Sequence, residues 1–141
     1  METFRGACHC GSIAFEYRTK IAPPDWSIRA CQCAFCRAHD ALSTSDPEGA
    51  LFFEAPAVEQ LQRYRFALKT ADFLLCSNCG VYVGAVIQTP NGDFGIINTH
   101  ALAARPDDLA DVAPISYDKE QKAGRVSRRE TRWTPVSAVP W

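Results

Sequence analysis

Long hydrophobic runs are missing from this chain, as is an excess of charge of either sign. A membrane-crossing helix needs about 20 consecutive apolar residues, so none is expected and no membrane partner with it. The opening residues Met1-Glu2-Thr3-Phe4-Arg5-Gly6 do not build the apolar centre that a secretory signal requires. Fifteen Lys and Arg against sixteen Asp and Glu leave a formal net charge of -1, which offers nucleic acid or an anionic membrane no global attraction. Internal repeats, low-complexity tracts and linker-like stretches are absent too. With 141 residues, 47% hydrophobic and 22% charged, the chain is expected to be one domain, 1–141, with a sizeable core and a cytoplasmic location.

What is present is thiol. Seven cysteines fall into three groups, Cys8-His9-Cys10, Cys31-Gln32-Cys33-Ala34-Phe35-Cys36 and Cys76-Ser77-Asn78-Cys79. An odd count leaves any full disulfide framework with an orphan, and in a reducing compartment clustered thiols point to metal or redox chemistry. Sulfur-ligated zinc sites are closed, with four protein ligands, or open, with three. Seven thiols divide into one of each, so two zinc ions per chain are expected. Joining Cys8 and Cys10 to Cys76 and Cys79 makes a closed, structural site that staples the N-terminal hairpin to a later one. Cys31, Cys33 and Cys36 then form an open site within one loop-to-helix segment, where chemistry can occur. The plainer alternative is a single structural zinc with three buried cysteines left over; the spacing of those three argues against it.

A histidine is the natural candidate to complete the open site. His9 lies between two ligands, where strand alternation turns it away, and His100 is remote in sequence. His39, three residues past Cys36, is the better choice for a fourth ligand, a supporting hydrogen-bond donor or a general base, although an isolated surface histidine is the commoner reading of such a residue.

Strands are expected over Thr3–Cys10 and over Ser12–Arg18, where Ile13, Phe15 and Tyr17 alternate with Ala14 and Glu16. Gly11 suits the turn between them. Further strands are expected over Ser27–Cys31, Leu51–Glu54, Gln60–Phe66, Ala71–Cys76, Val81–Gln88 and Phe94–Asn98, the last two joined by the hairpin signal Pro90-Asn91-Gly92-Asp93. Helical turns are expected at Arg37–Leu42 and Pro106–Asp108, and a surface helix softened at Gly124 over Asp118–Arg132. Trp133–Trp141, with two prolines, reads as a tail lying on the surface. The fold class is mainly β: small antiparallel sheets with short helices and a C-terminal helix.

Three segments in order carry a family resemblance: Gly6-Ala7-Cys8-His9-Cys10-Gly11, Cys31-Gln32-Cys33-Ala34-Phe35-Cys36-Arg37 and Phe73-Leu74-Leu75-Cys76-Ser77-Asn78-Cys79-Gly80. Through them the chain resembles the glutathione-dependent formaldehyde-activating enzyme family (GFA, or CENP-V/GFA domain) over about residues 3–100. The resemblance implies a β-tent fold joined around zinc, a closed site from Cys8, Cys10, Cys76 and Cys79, and a catalytic site from Cys31, Cys33 and Cys36. It also implies carbon-sulfur lyase chemistry, in which glutathione captures formaldehyde as S-hydroxymethylglutathione. Arg37-Ala38-His39-Asp40-Ala41 departs from the family pattern, in which many members carry a glycine after the arginine. Residues 101–141 form an extension packed on the domain.

On this reading the partners are a small-molecule thiol, with glutathione as co-substrate, and formaldehyde or another small aldehyde. Cys31, Cys33, Cys36 and His39 form the catalytic group. Glutathione carries two carboxylates, so its groove needs a cation, and Arg37 beside the triad is the first choice. Arg125, Arg128, Arg129 and Arg132 recur at spacings that share a helical face, but they are read as a solvated charged face. Phe35, Tyr82, Phe94 and Trp133 are read as packing residues rather than cleft lining. Two readings from other classes compete: a non-catalytic zinc module for a macromolecular partner, and a thiol redox switch that releases metal on oxidation.

Overall fold

Inward Phe15, Tyr17 and Thr19 alternate with more exposed neighbours, and this pattern pins the register of the N-terminal hairpin. The computed structural model describes the whole chain, Met1–Trp141. In order, its strands are β1 (Glu2–Ala7), β2 (Ala14–Thr19), β3 (Ile28–Cys31), β4 (Ser43–Thr44), β5 (Ala50–Glu54), β6 (Leu61–Tyr64), β7 (Asp72–Cys76), β8 (Tyr82–Thr89), β9 (Gly92–Asn98), β10 (Val112–Ile115) and β11 (Thr134–Ala138). Two α-helices, α1 (Ala34–Ala38) and α2 (Lys122–Arg132), complete the fold with three short 3₁₀ turns. None is long and apolar enough to cross a membrane.

The protein is mainly β, as its alternation and turn signals indicate. The strands pair in the order β1-β2-β5-β11-β9-β4-β3-β10, and a branch from β9 continues through β8 and β7 to β6. Most pairs are antiparallel; β10 with β3 and β11 with β5 are parallel. The long strand β8 is buried on both faces. Val83 and Val86 join the larger core with Ile13, Leu51 and Leu74, while Tyr82, Ala85 and Ile87 join a smaller one with Phe73 and Trp133. Cys8 and Cys76 sit in the first core and Cys36 in the second, so each thiol group is anchored to its own apolar cluster.

Four expectations need correction. The first helix begins at Ala34 rather than Arg37, because Cys33 caps it and its Sγ accepts from the Cys36 amide at 3.4 Å. Pro106–Asp108 forms a plain turn, and β10 follows it unanticipated. That edge strand is mostly exposed and carries Pro114, so it shows neither alternation nor a full set of ladder donors. Helix α2 runs unbroken through Gly124. Finally, the terminal segment is no surface tail: β11 lies between β5 and β9, with Thr134 fully buried. Pro135 is accommodated because β11 exchanges one neighbour for the other along its length, pairing with β9 at Thr134 and Pro135 and with β5 from Val136.

Candidate functional site

The first thiol group is built by two turns. β1 delivers Cys8 and Cys10 into a turn that Gly11 closes at φ +84°, and β7 ends on Cys76 before a turn that Gly80 closes at φ +79°. Both glycines occupy the left-handed region that other residues rarely adopt. The sulfurs of Cys8, Cys10, Cys76 and Cys79 all lie within 4.8 Å of one another, with Cys8–Cys10 at 3.7 Å and Cys10–Cys76 at 3.5 Å. Zinc–sulfur bonds of about 2.3 Å in a tetrahedron space their sulfurs roughly 3.8 Å apart. The donor set therefore fits one metal ion.

Backbone amides support the same assignment: Ile13 N–H donates to Cys8 Sγ at 3.3 Å and Cys79 N–H to Cys76 Sγ at 3.4 Å. Burial pushes the Cys8 thiol up to about 11, whereas the Ser12 hydroxyl at 3.2 Å, with the Asn78 side chain, draws Cys10 down to about 5.

The second group spans a strand end and a helix start. Cys31 closes β3, Cys33 caps α1 and Cys36 lies in its first turn, all three sulfurs within 4.8 Å of one another. The Cys36 thiol draws Cys31 down to about 5, and Cys36 itself is pushed far up by Cys31 and by burial. Both groups can hold a metal ion, and no histidine belongs to either.

Only the second group opens on the main cavity, which encloses about 460 Å³. Phe66, Leu68, Phe73 and Trp133 form its apolar wall, and Arg29, Arg125, Arg128 and Arg129 its cationic one. Glu120 accepts from Arg125 Nε at 3.0 Å and from Arg128 Nε at 2.8 Å; Arg128, then Arg125, hold its carboxyl below the usual range. The Arg128 guanidinium also lies 3.6 Å over the Tyr117 ring. Arg129 is buried, donates through Nη1 to Thr70 Oγ1 at 2.7 Å and lies 4.7 Å over Trp133. Burial lowers its pKa to about 10. The Phe66–Thr70 loop that borders the cavity holds two non-glycine residues, Ala67 and Lys69, at φ +53°. Arg65 ties its base to buried Asp72 at 2.8 Å.

The structure therefore reassigns the cationic groups. Arg37 is exposed and takes no part in the cavity wall. Of the α2 arginines, read from sequence as a solvated face, Arg125, Arg128 and Arg129 turn inward because that face covers the cavity, while Arg132 stays exposed as expected. Their i, i+3, i+4 spacing with Trp133 four residues beyond Arg129 was the available signal. Trp133 likewise lines the cavity, whereas Phe35 stacks with Phe66 at 5.0 Å and Tyr82 is buried. His39 caps α1 with its ring 4.6 Å from Phe35 and is not among the cavity residues. His9 is exposed, and His100 faces Asp40 at 3.7 Å. Asp40, just past the triad helix, takes φ +49°, a conformation its short polar side chain tolerates.

The family profile described as "Glutathione-dependent formaldehyde-activating enzyme" matches residues 3–119. The chain belongs to the GFA family. The family match contains both thiol groups and every strand but β11, and it ends before α2. The cationic helix that walls the cavity thus lies beyond the matched GFA segment. Among solved structures, a crystal structure of a Rhodobacter sphaeroides protein from structural genomics is similar at 28% identity and a TM-score of 0.55. It covers 79% of this chain and 99% of its own.

Proposed function

We propose that this GFA-family protein is a zinc-dependent enzyme of carbon-sulfur lyase type, working in the cytoplasm. It adds a thiol, glutathione or a close analogue, to formaldehyde or another small aldehyde. The observation that carries this reading is the difference between the two thiol groups: only Cys31, Cys33 and Cys36 open on a cavity large enough for a small-molecule substrate. Cys8, Cys10, Cys76 and Cys79 would hold a structural zinc, and Cys31, Cys33 and Cys36 a second. Bound at the triad, zinc would offer an open coordination position whose bond to an incoming sulfur keeps that thiol deprotonated near neutral pH.

The chain's own residues supply the rest. Phe66, Leu68, Phe73 and Trp133 exclude water from part of the cavity, so a small aldehyde is held beside the thiol rather than hydrated. The sulfur–carbon bond forms as the carbonyl π bond breaks, and the thiol proton ends on the new hydroxyl. No oxidant or reductant is consumed. His39 stands outside the cavity wall, so that proton passes through cavity water rather than directly to an imidazole.

Elemental analysis of wild type and Cys33→Ser, each also followed by NMR with glutathione and formaldehyde, tests the proposal. Two zinc equivalents in wild type, one in a folded variant and faster adduct formation by wild type alone are expected. One equivalent in both proteins with no acceleration would remove the enzyme reading and leave a non-catalytic zinc module.

A further inference from the structure

The cavity carries more positive charge than its carboxylates match. Arg125 and Arg128 already share Glu120. Arg29 donates through Nη2 to the Ser45 hydroxyl at 2.8 Å and has no carboxylate partner. Arg129, 8% exposed, has none either. Its Nη1 is held by Thr70, its Nε is buried without any hydrogen-bond partner, and Nη2 makes no hydrogen bond. Buried guanidinium groups are ordinarily paired, and a buried donor left open is uncommon in a folded chain. The Trp133 ring face offsets only part of the charge.

Four arginines line the cavity against two carboxylates, Asp118 and Glu120, and three thiolates on a divalent ion would carry a net charge of -1. One positive charge remains unmatched. The free donors of Arg129, Nε and Nη2, are neighbours on one edge of a planar fork, the arrangement that takes both oxygens of a carboxylate. Thr70 on the opposite edge and Trp133 beneath the plane fix its orientation. Helix α2 lies outside the segment matched by the family, so this feature belongs to the chain's own extension.

We propose that Arg129, supported by Arg29, is a carboxylate-binding subsite of the cavity, which selects thiol substrates that carry a carboxylate remote from sulfur. The selection of thiols rests on the function proposed above; the carboxylate subsite does not. Arg129 acts here as a binding residue, and charged-group hydrogen bonds set the scale of the expected effects.

Titration calorimetry of the zinc-loaded protein tests the subsite with S-methylglutathione, which has no free thiol, and with its dimethyl ester, which has no carboxylate. Wild type is expected to bind the acid about ten- to a hundredfold more tightly than the ester. Arg129→Met is expected to abolish that preference while its melting temperature stays level or rises, since an unpaired buried cation has been removed. Arg132→Met, an exposed position on the same helix, is expected to retain the preference. Equal affinity of wild type for acid and ester would overturn the subsite without reference to any variant, as would an undiminished preference in Arg129→Met. Should Arg129→Met fail to fold, the wild-type acid-to-ester comparison still decides. Adduct formation by wild type with equal acid and ester affinity would leave the enzyme reading standing and remove the subsite. Acid preference without adduct formation would do the reverse.

Discussion

A chain ending at Trp133 is expected to be largely unfolded and prone to aggregate. The deleted residues include β11, which pairs with β9 through Thr134–Gly95 and Pro135–Phe94 and with β5 through Val136–Leu51 and Ala138–Phe52. Its loss would open two unpaired strand edges in the middle of the sheet, where nothing covers them. It would also remove the Thr134 hydroxyl that accepts the buried Asp46 amide at 2.8 Å. Asp46 in turn accepts the Thr19 hydroxyl at 2.6 Å, so the damage reaches β2. Each orphaned buried group costs about 1–3 kcal/mol, and a domain of this size has only about 5–15 kcal/mol to lose. Urea unfolding followed by circular dichroism checks this; a cooperative transition with the full-length midpoint would show β11 to be dispensable, as a surface tail would be.

Cys76→Ser is expected to release one metal equivalent and abolish cooperative folding, whereas Cys33→Ser releases one and stays folded. The two thiols differ in what lies behind them. Cys76 is 1% exposed in the larger core, and its cluster joins the turn after β1 to the turn after β7, 66 residues apart between Cys10 and Cys76. A metal bound there closes contacts far apart in sequence, and structural zinc contributes on the order of 10 kcal/mol in small zinc domains. That is comparable with the whole stability of the fold. Cys33 is half-exposed at a helix cap, and serine is itself a good cap, so its loss empties a site without exposing a core. Elemental analysis paired with thermal unfolding distinguishes them. A folded Cys76→Ser protein beside an unfolded Cys33→Ser protein would reverse the assignment of structural and open sites.

Local features were readable from residue order because their causes are local. Cysteine spacings such as Cys31-x-Cys33-x-x-Cys36 fit one ion through the geometry of a few consecutive peptide units, and the structure gathers all seven thiols in the two expected groups. The hairpin of β8 and β9, which turns at Pro90-Asn91, and the alternation of Ile13, Phe15 and Tyr17 are of the same kind. Between Ala101 and Trp141 the helix within Asp118–Arg132 was legible, but two inferences from residue type failed. Charge on α2 was taken as a mark of bulk solvent, yet a helix face that supplies the cationic wall of a cavity has the same composition. Proline in β11 was taken to bar a sheet position, yet the strand changes partner where its missing donor would matter.

Which thiols act together and that the chain is mainly β follow from residue types and spacing alone, since ligand geometry and strand periodicity operate over a few residues. Which thiol group faces a cavity, which arginines wall it and where the last strand inserts depend on how segments far apart in sequence pack. Arg129 meets Thr70 across 59 positions and Thr134 meets Asp46 across 88. Contacts of that range are set by the burial of two apolar cores around β8, and no short stretch of the chain encodes them.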